Sequence, residues 1–67
     1  MLLSYIGKSV KERRKELEIT QITLAELAGV SKNTLYKLER GTGNPSIKVM
    51  GEVLDILGME IKIEVKK

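Results

Sequence analysis

The chain contains no cysteine and no histidine, and this absence excludes several kinds of chemistry. There can be no disulfide, no thiol nucleophile, no ordinary imidazole acid or base, and none of the usual zinc ligands. Phenylalanine and tryptophan are absent as well, so a core must be built from aliphatic residues and methionine. With 67 residues, 42% of them hydrophobic, the chain is expected to form one small globular domain.

Long apolar runs are also absent. The N-terminal residues MLLSYI are too few, and too soon interrupted, for a secretory signal or a membrane span. A reducing cytoplasm is therefore the expected location. An enzyme is the least expected class, because the acidic residues are scattered and a chain of this size has little room for a catalytic pocket. No catalytic residue, metal site or cofactor is predicted.

Polar caps and glycines divide most of the chain into four predicted helices. The predicted N-caps are Ser4, Thr20, Ser31 and Ser46. The corresponding helices are expected to end near Leu17, Gly29, Gly41 and Gly58. Helical spacing predicts that the inward-facing residues are Ile6, Val10, Leu17, Leu24, Ala25, Leu27, Leu35, Leu38, Ile47, Met50, Val53, Leu54 and Leu57. Gly51, inside the fourth helix, costs roughly 1 kcal/mol relative to alanine, and close packing is the only reason that the sequence suggests for it.

The C-terminal residues follow a different pattern. Met59, Ile61, Ile63 and Val65 alternate with charged residues, which is typical of a half-buried strand. The N-terminal MLLSY is a poor pairing partner, so we expect the same strand of a second molecule, antiparallel across a two-fold axis. Opposite charges face each other if this ribbon is centred on Ile61 or on Ile63. The predicted division is a body of residues 1–58 and a dimerisation strand of residues 59–67.

Residues 20–41 have the layout of two short helices joined by a tight turn, with a polar outer face on the second. This layout is typical of a helix-turn-helix, which places its second helix in the major groove of DNA. Residues 29–48 carry four basic groups against one acidic group, whereas the segments on either side are close to neutral. Because the excess positive charge coincides with the second helix and the following loop, a polyanion is expected to bind there.

The same region resembles the XRE, or Cro and phage-repressor, class of helix-turn-helix proteins. The resemblance covers residues 6–58 and rests on Thr20-Gln21, Leu24-Ala25, Ala28-Gly29-Val30-Ser31, Thr34-Leu35, Leu38-Glu39, Gly41 and Asn44-Pro45. It implies an all-α bundle of four helices of the lambda-repressor type. The short strand after the fourth helix further resembles HipB-type antitoxins, which dimerise through such a strand and repress their own operon.

This resemblance implies roles that the side-chain chemistry supports. The predicted base contacts are Lys32, Asn33, Tyr36 and Lys37. The predicted phosphate contacts are Gln21, Thr34, Arg40, Gly43, Asn44 and Lys48. Arg14 and Glu39 are expected to form an ion pair that links the first helix to the third.

Two positions depart from the family pattern. Glu18 stands where the family usually has glycine or asparagine, so this turn is expected to be strained or differently built. Ile22 and Thr23 replace a frequent acidic pair, which leaves Ile22 exposed and raises the alternative of a protein contact there.

The expected function is that of a homodimeric regulator, with repression favoured, that binds a palindromic site on double-stranded DNA. The resemblance to HipB-type antitoxins implies that the operon under its control encodes a toxin and an antitoxin. The alternative is an interaction module whose main role is to neutralise a partner protein, such as a toxin kinase.

Overall fold

The computed structural model describes residues 2–66 and has four helices in this range. They are α1 (Leu2–Glu16), α2 (Gln21–Ala28), α3 (Lys32–Glu39) and α4 (Ile47–Ile56). α1 packs against α3, and α2 packs against both α3 and α4. The predicted all-helical bundle is therefore confirmed. Met1 and Lys67, the first and last residues of the predicted division, lie outside the described residues.

Three of the four predicted N-caps are confirmed. The side-chain hydroxyls of Thr20, Ser31 and Ser46 each accept a hydrogen bond from the backbone N–H three residues later, at 3.1, 3.0 and 3.1 Å. These bonds satisfy N–H groups that lack a partner within the helix. The prediction for Ser4 was wrong, because α1 already begins at Leu2 and Ser4 lies within its first turns.

The core is aliphatic, as the composition predicts. Its buried residues are Ile6, Val10, Leu24, Ala25, Ala28, Leu35, Leu38, Met50, Val53, Leu54 and Leu57. Three residues that were predicted to face inward do not. Leu17 is 40% exposed, Leu27 is 58% exposed and Ile47 is 75% exposed.

Each of these exceptions is explained by the position of the residue in its helix. Leu17 follows the last residue of α1, so the helical spacing that places Ile6 and Val10 inward no longer applies to it. α2 is short, and its buried face consists of Leu24, Ala25 and Ala28, which leaves Leu27 to one side. Ile47 is the first residue of α4, one turn before the buried stripe of that helix begins.

Gly7 allows α1 and α3 to touch through their backbones. A Cβ added to Gly7 would collide with the carbonyl oxygen of Leu38 and would lie 2.9 Å from that of Glu39. A second close contact lies one turn earlier along α1, at Ser4. A Cβ added to Gly41, which follows α3, would lie 2.8 Å from the Cα of Ser4. The C-terminal end of α3 is therefore held directly against the first half of α1.

The C-terminal segment is not a strand in the single chain. Residues 59–66 have no regular secondary structure, and the N-terminal residues 2–5, which were considered as a pairing partner, belong to α1. A lone strand would leave its backbone groups unpaired, so a single chain gives this segment no means of forming one. Within residues 2–66 no helix has both the length and the apolar character needed to cross a membrane.

Candidate nucleic-acid interface

The turn between α2 and α3 fixes the relative position of these two helices. Gly29 has φ 72°, a left-handed conformation that glycine adopts without steric cost, and its N–H donates to the carbonyl of Glu26 at 3.3 Å. The N–H of Val30 donates to the carbonyl of Ala25 at 3.0 Å, and its side chain packs against the core. Ser31 then caps α3. In this turn Gly29 ends α2, Val30 packs against the core and Ser31 begins α3.

α3 presents one face to the core and the opposite face to solvent. Leu35 and Leu38 are 0% and 1% exposed. The four predicted base contacts are all exposed, and they share one side of the helix because they are spaced i, i+1, i+4 and i+5: Lys32, Asn33, Tyr36 and Lys37. The buried leucines fix the rotation of α3, so this polar face has a defined direction.

Arg40 is attached to the end of that face through Tyr36. Its Nη1 donates to the Tyr36 hydroxyl at 3.1 Å, and the guanidinium carbon lies 5.5 Å from the ring centroid. Both contacts restrict the rotamers of two exposed side chains. The positive charge of Arg40 is therefore held beside the tyrosine, where it can act together with the polar face of α3.

The loop after α3 folds back onto Lys37. The N–H and the hydroxyl of Thr42 both donate to the carbonyl of Lys37, at 2.9 and 3.2 Å. A shallow depression results, and four of the predicted contact residues line it: Thr34, Lys37, Gly43 and Asn44. The structure thus brings together a lysine, a hydroxyl and exposed loop backbone, a combination suited to a phosphate group.

Two of the predicted phosphate contacts are placed differently. Lys48 is exposed in the first turn of α4 and does not line this depression. Gln21 is half-buried at the start of α2, and its Nε2 donates to Oε1 of Glu39 at 3.0 Å. An amide nitrogen carries two hydrogens, so the second one remains available for a phosphate. The contact between Gln21 and Glu39 was not predicted from the sequence.

Arg14 and Glu39 lie at the centre of a buried polar network. Nε of Arg14 donates to Oε2 of Glu39 at 2.7 Å, and Nη2 donates to Oε1 at 3.1 Å. The two side chains are only 11% and 2% exposed. Nη1 of Arg14 also donates to the carbonyl of Ile19 at 3.0 Å. Together with Gln21, these bonds join α1, the α1–α2 turn and the start of α2 to the last turn of α3.

Gly7 was also missed by the sequence reasoning, although a signal for it exists. An isolated glycine in a helical pattern often has a packing reason. Here the reason is the backbone contact between α1 and α3, which supports the exposed face of α3 from behind. Among residues 2–66 there is no group of three or more acidic side chains that could hold a metal ion.

Comparison with known proteins identifies the family. Residues 10–63 match the family described as "Helix-turn-helix". The chain is 38% identical over 56 residues to the immunity repressor protein of Bacillus phage phi105, in a match that covers 84% of this chain and 39% of the repressor. It is 41% identical over 51 residues to a protein of Methanothermobacter thermautotrophicus named as an uncharacterized HTH-type transcriptional regulator, covering 76% and 74% of the two chains.

A third relative is the antitoxin PezA of Streptococcus pneumoniae, which is 34% identical over 58 residues. This match covers 87% of the present chain but only 34% of the antitoxin. The chain thus spans little more than a third of the repressor and of the antitoxin, and most of the length of the M. thermautotrophicus regulator. The matches and the geometry agree, and the chain belongs to the XRE-type helix-turn-helix family of transcriptional regulators.

Proposed function

We propose that this protein is a sequence-specific regulator that binds double-stranded DNA as a homodimer and represses a promoter, most simply its own. The observation that carries this proposal is the exposed polar face of α3, which is held in one orientation by buried leucines on the other side of the helix. A helix with such a face can enter the major groove and contact base edges there.

The side chains on this face have complementary hydrogen-bonding abilities. Lys32 and Lys37 can donate to N7 and O6 of guanine, and Asn33 can form two bonds with adenine. Tyr36 can pack against a thymine methyl group or reach a phosphate. Each good base contact contributes about 1–3 kcal/mol of discrimination.

Phosphate contacts supply affinity and alignment around this face. The shallow depression lined by Lys37 and the loop after α3 lies near the C-terminal end of that helix, as does Arg40. Gln21 lies at the N-terminus of α2, where free N–H groups and the helix dipole favour an anion. These contacts, together with Lys48 in the first turn of α4, would bind the sugar-phosphate chains without choosing a sequence.

A homodimer would convert one weak half-site into a palindromic operator. We propose that residues 59–67 supply its interface as an antiparallel two-stranded ribbon centred on Ile61 or Ile63, and that residues 1–58 form the DNA-binding body. The two copies of α3 would then lie about one turn of DNA, ~34 Å, apart.

The direct test is binding to a labelled duplex from the region upstream of the gene, measured by fluorescence anisotropy at low salt. The double variant Lys32→Ala, Asn33→Ala should lose specific binding, by about 1–3 kcal/mol for each lost base contact. Lys11→Ala is the matched control, because Lys11 is an exposed lysine on α1, a helix that contributes no residue to the proposed interface. Failure of the wild-type protein to bind this duplex would refute the proposal.

A second candidate function is the neutralisation of a partner protein, such as a toxin kinase, by an antitoxin that also represses its own operon. Two observations favour it: the similarity to an antitoxin over 58 residues and the exposure of Ile22, which is 53% accessible on α2. The product of the neighbouring gene is the partner to test. Ile22→Ser should weaken its binding, whereas Lys32→Ala, Asn33→Ala should leave it unchanged and abolish operator binding.

A further inference from the structure

The last residues of the chain carry apolar side chains that the single chain does not cover. Ile63 is 95% exposed and Val65 is 93% exposed, while Ile61 is 47% exposed and Met59 is half-buried against the core. Two almost fully exposed β-branched residues, two positions apart in a short segment, indicate an interaction surface.

Helix capping determines which of these residues are free to pair. The N–H of Leu57 donates to the carbonyls of Val53 and Leu54, at 3.4 and 3.0 Å, and its own carbonyl accepts a bond from Nε of Arg13 at 3.0 Å. The N–H of Gly58 donates to Asp55 at 3.1 Å.

The capping bonds extend one residue further. The N–H of Met59 donates to the carbonyl of Leu54 at 2.9 Å, and Gly58 has φ 69°, which is not a strand conformation. The backbone N–H groups of residues 57–59 are therefore all used in hydrogen bonds that cap the end of α4. Pairing with a second strand can begin only at Glu60.

Because pairing can begin only at Glu60, the two registers that the charges allow differ in how many residues can pair. In a ribbon centred on Ile61, residues 63–65 of one copy lie opposite residues 57–59 of the other. The backbone N–H groups of residues 57–59 are already bonded within the cap of α4. Only residues 60–62 could then pair. In a ribbon centred on Ile63, residue 60 lies opposite residue 66, and all seven residues from 60 to 66 find partners.

We propose that two copies of this chain pair antiparallel through residues 60–66, with Ile63 on the two-fold axis. The inference rests on the homodimer proposed above and selects one of its two registers. It places Ile61 of one copy opposite Val65 of the other, so each exposed valine gains an apolar neighbour.

The charged residues of the segment complement each other in this register. Glu60 faces Lys66 of the second copy, and Lys62 faces Glu64. Within one chain, Nζ of Lys62 already lies 3.8 Å from Oε1 of Glu60, so these two alternate residues project to the same side. The apolar residues are then left on the other side of the ribbon.

The body of the protein provides apolar surface for this ribbon. Residues 59–61 line two shallow grooves, one shared with Leu2 and Tyr5 of α1 and the other with Ile47 and Gly51 of α4. Leu2, Tyr5 and Ile47 are all exposed in the single chain. Because a two-stranded ribbon alone is marginal in water, burial of these side chains by the second copy supplies the remaining stability.

Disulfide trapping tests the register, and the absence of cysteine from the chain removes any background. Under mild oxidation, Ile63→Cys should gain a covalent dimer, because the two Cβ atoms at position 63 face each other across the axis. Ile61→Cys is the matched control. Its two sulfurs would be offset by four residues, ~14 Å, too far apart for a disulfide.

The outcomes are distinct. A covalent dimer from Ile61→Cys but not from Ile63→Cys would overturn the inference in favour of the other register. A wild-type dimer that binds operator DNA, with no cross-link at either position, would also overturn it and would leave the proposed DNA-binding function intact. Cross-linking at position 63 in a protein that binds no DNA would support the inference and refute the proposed function instead.

Charge exchange gives a second test by analytical ultracentrifugation. Lys62→Glu should weaken the dimer severalfold, because it places two glutamates opposite each other. Adding Glu64→Lys should restore the dimer, whereas adding Glu60→Lys should weaken it further by opposing Lys66. Rescue by Glu60→Lys instead would assign the register centred on Ile61 and contradict the inference.

Discussion

Glu39 accepts three side-chain hydrogen bonds in the last turn of α3, two from Arg14 and one from Gln21. No buried side-chain polar atom among residues 2–66 lacks a hydrogen-bond partner. A network that is fully satisfied stabilises one arrangement, because the loss of any member leaves another group buried without a partner. This single carboxylate therefore fixes the end of the helix that carries the proposed base contacts.

Glu39→Ala should lower the free energy of unfolding by about 3–5 kcal/mol, since it leaves the guanidinium of Arg14 buried without its counter-ion. Chemical denaturation followed by circular dichroism measures this loss. Glu16→Ala is the matched control, because Glu16 also pairs with an arginine, Arg13, but its side chain is 66% exposed. That change should cost at most about 1 kcal/mol. Equal effects of the two substitutions would contradict the structural role of Glu39.

Glu18 is the only residue other than glycine with a positive φ among residues 2–66, at 57°. The sequence left open a strained turn or a differently built one at this position, and the left-handed backbone of Glu18 corresponds to the first of these. A left-handed conformation costs a residue with a Cβ roughly 1–2 kcal/mol. The neighbouring carbonyl of Ile19 binds Arg14, so the turn is held in place by the same network as Glu39.

Glu18→Gly should raise the free energy of unfolding by about 0.5–1 kcal/mol, because the relief of strain exceeds the entropy that glycine adds to the unfolded chain. The shift in melting temperature is the measurement. Glu12→Gly, the same substitution in the middle of α1, should instead destabilise the protein by about 1 kcal/mol. A decrease in stability with both substitutions would show that Glu18 is not strained.

At the scale of the helix, the sequence could predict most of what is local. The caps Thr20, Ser31 and Ser46 and the stop at Gly29 follow from hydrogen bonding and backbone sterics within a few residues, and all four are confirmed. The start of α1 was not predicted correctly from such local features. Its cap was assigned to Ser4 on residue type alone, whereas the residues before Ser4 are themselves good helix formers.

Two further failures depend on what lies next to an element. Leu27 and Ile47 fit the helical spacing but have no element covering them. Similarly, the contact of Gln21 with Glu39 joins residues that are 18 positions apart, and no short-range sequence pattern predicts it. The predicted contact residues of α3 and its following loop are brought together, but their role in binding DNA stays a prediction.

Two glycines within helices should respond in opposite ways to the same substitution. Gly7→Ala should destabilise the protein by more than about 1 kcal/mol, because the new methyl group meets backbone carbonyls of α3 that cannot move aside. Gly51→Ala should stabilise the single chain by up to about 1 kcal/mol, since no neighbouring group of that chain lies within 4 Å of an added Cβ. Close packing, the reason offered for Gly51 by the sequence, is therefore wrong for the single chain. Thermal unfolding of both variants is the measurement, and equal losses would contradict the α1–α3 contact.

At the scale of the whole molecule, the two proposed surfaces lie on different parts of the fold. The proposed DNA-binding surface belongs mainly to α2, α3 and the loop after α3, with Lys48 at the start of α4 as its one addition, whereas the proposed dimer surface belongs to the C-terminal segment and its two grooves. This separation allows one copy to bind another without covering the polar face of α3. In the proposed dimer the partner strand would come from another molecule, so the sequence pattern of a strand would be compatible with a single chain that does not form one.

If the exposed face of α3 enters the major groove of DNA, the amides of this helix should respond to bound duplex. Titration of isotope-labelled protein with its upstream duplex, followed by backbone amide NMR shifts, measures that response residue by residue. We expect the largest changes on residues 32–37 and 42–44 and at the start of α2, with little change in the middle of α1. Changes concentrated on α1 or α4, or an unperturbed α3 in the presence of bound DNA, would contradict the entry of α3 into the groove.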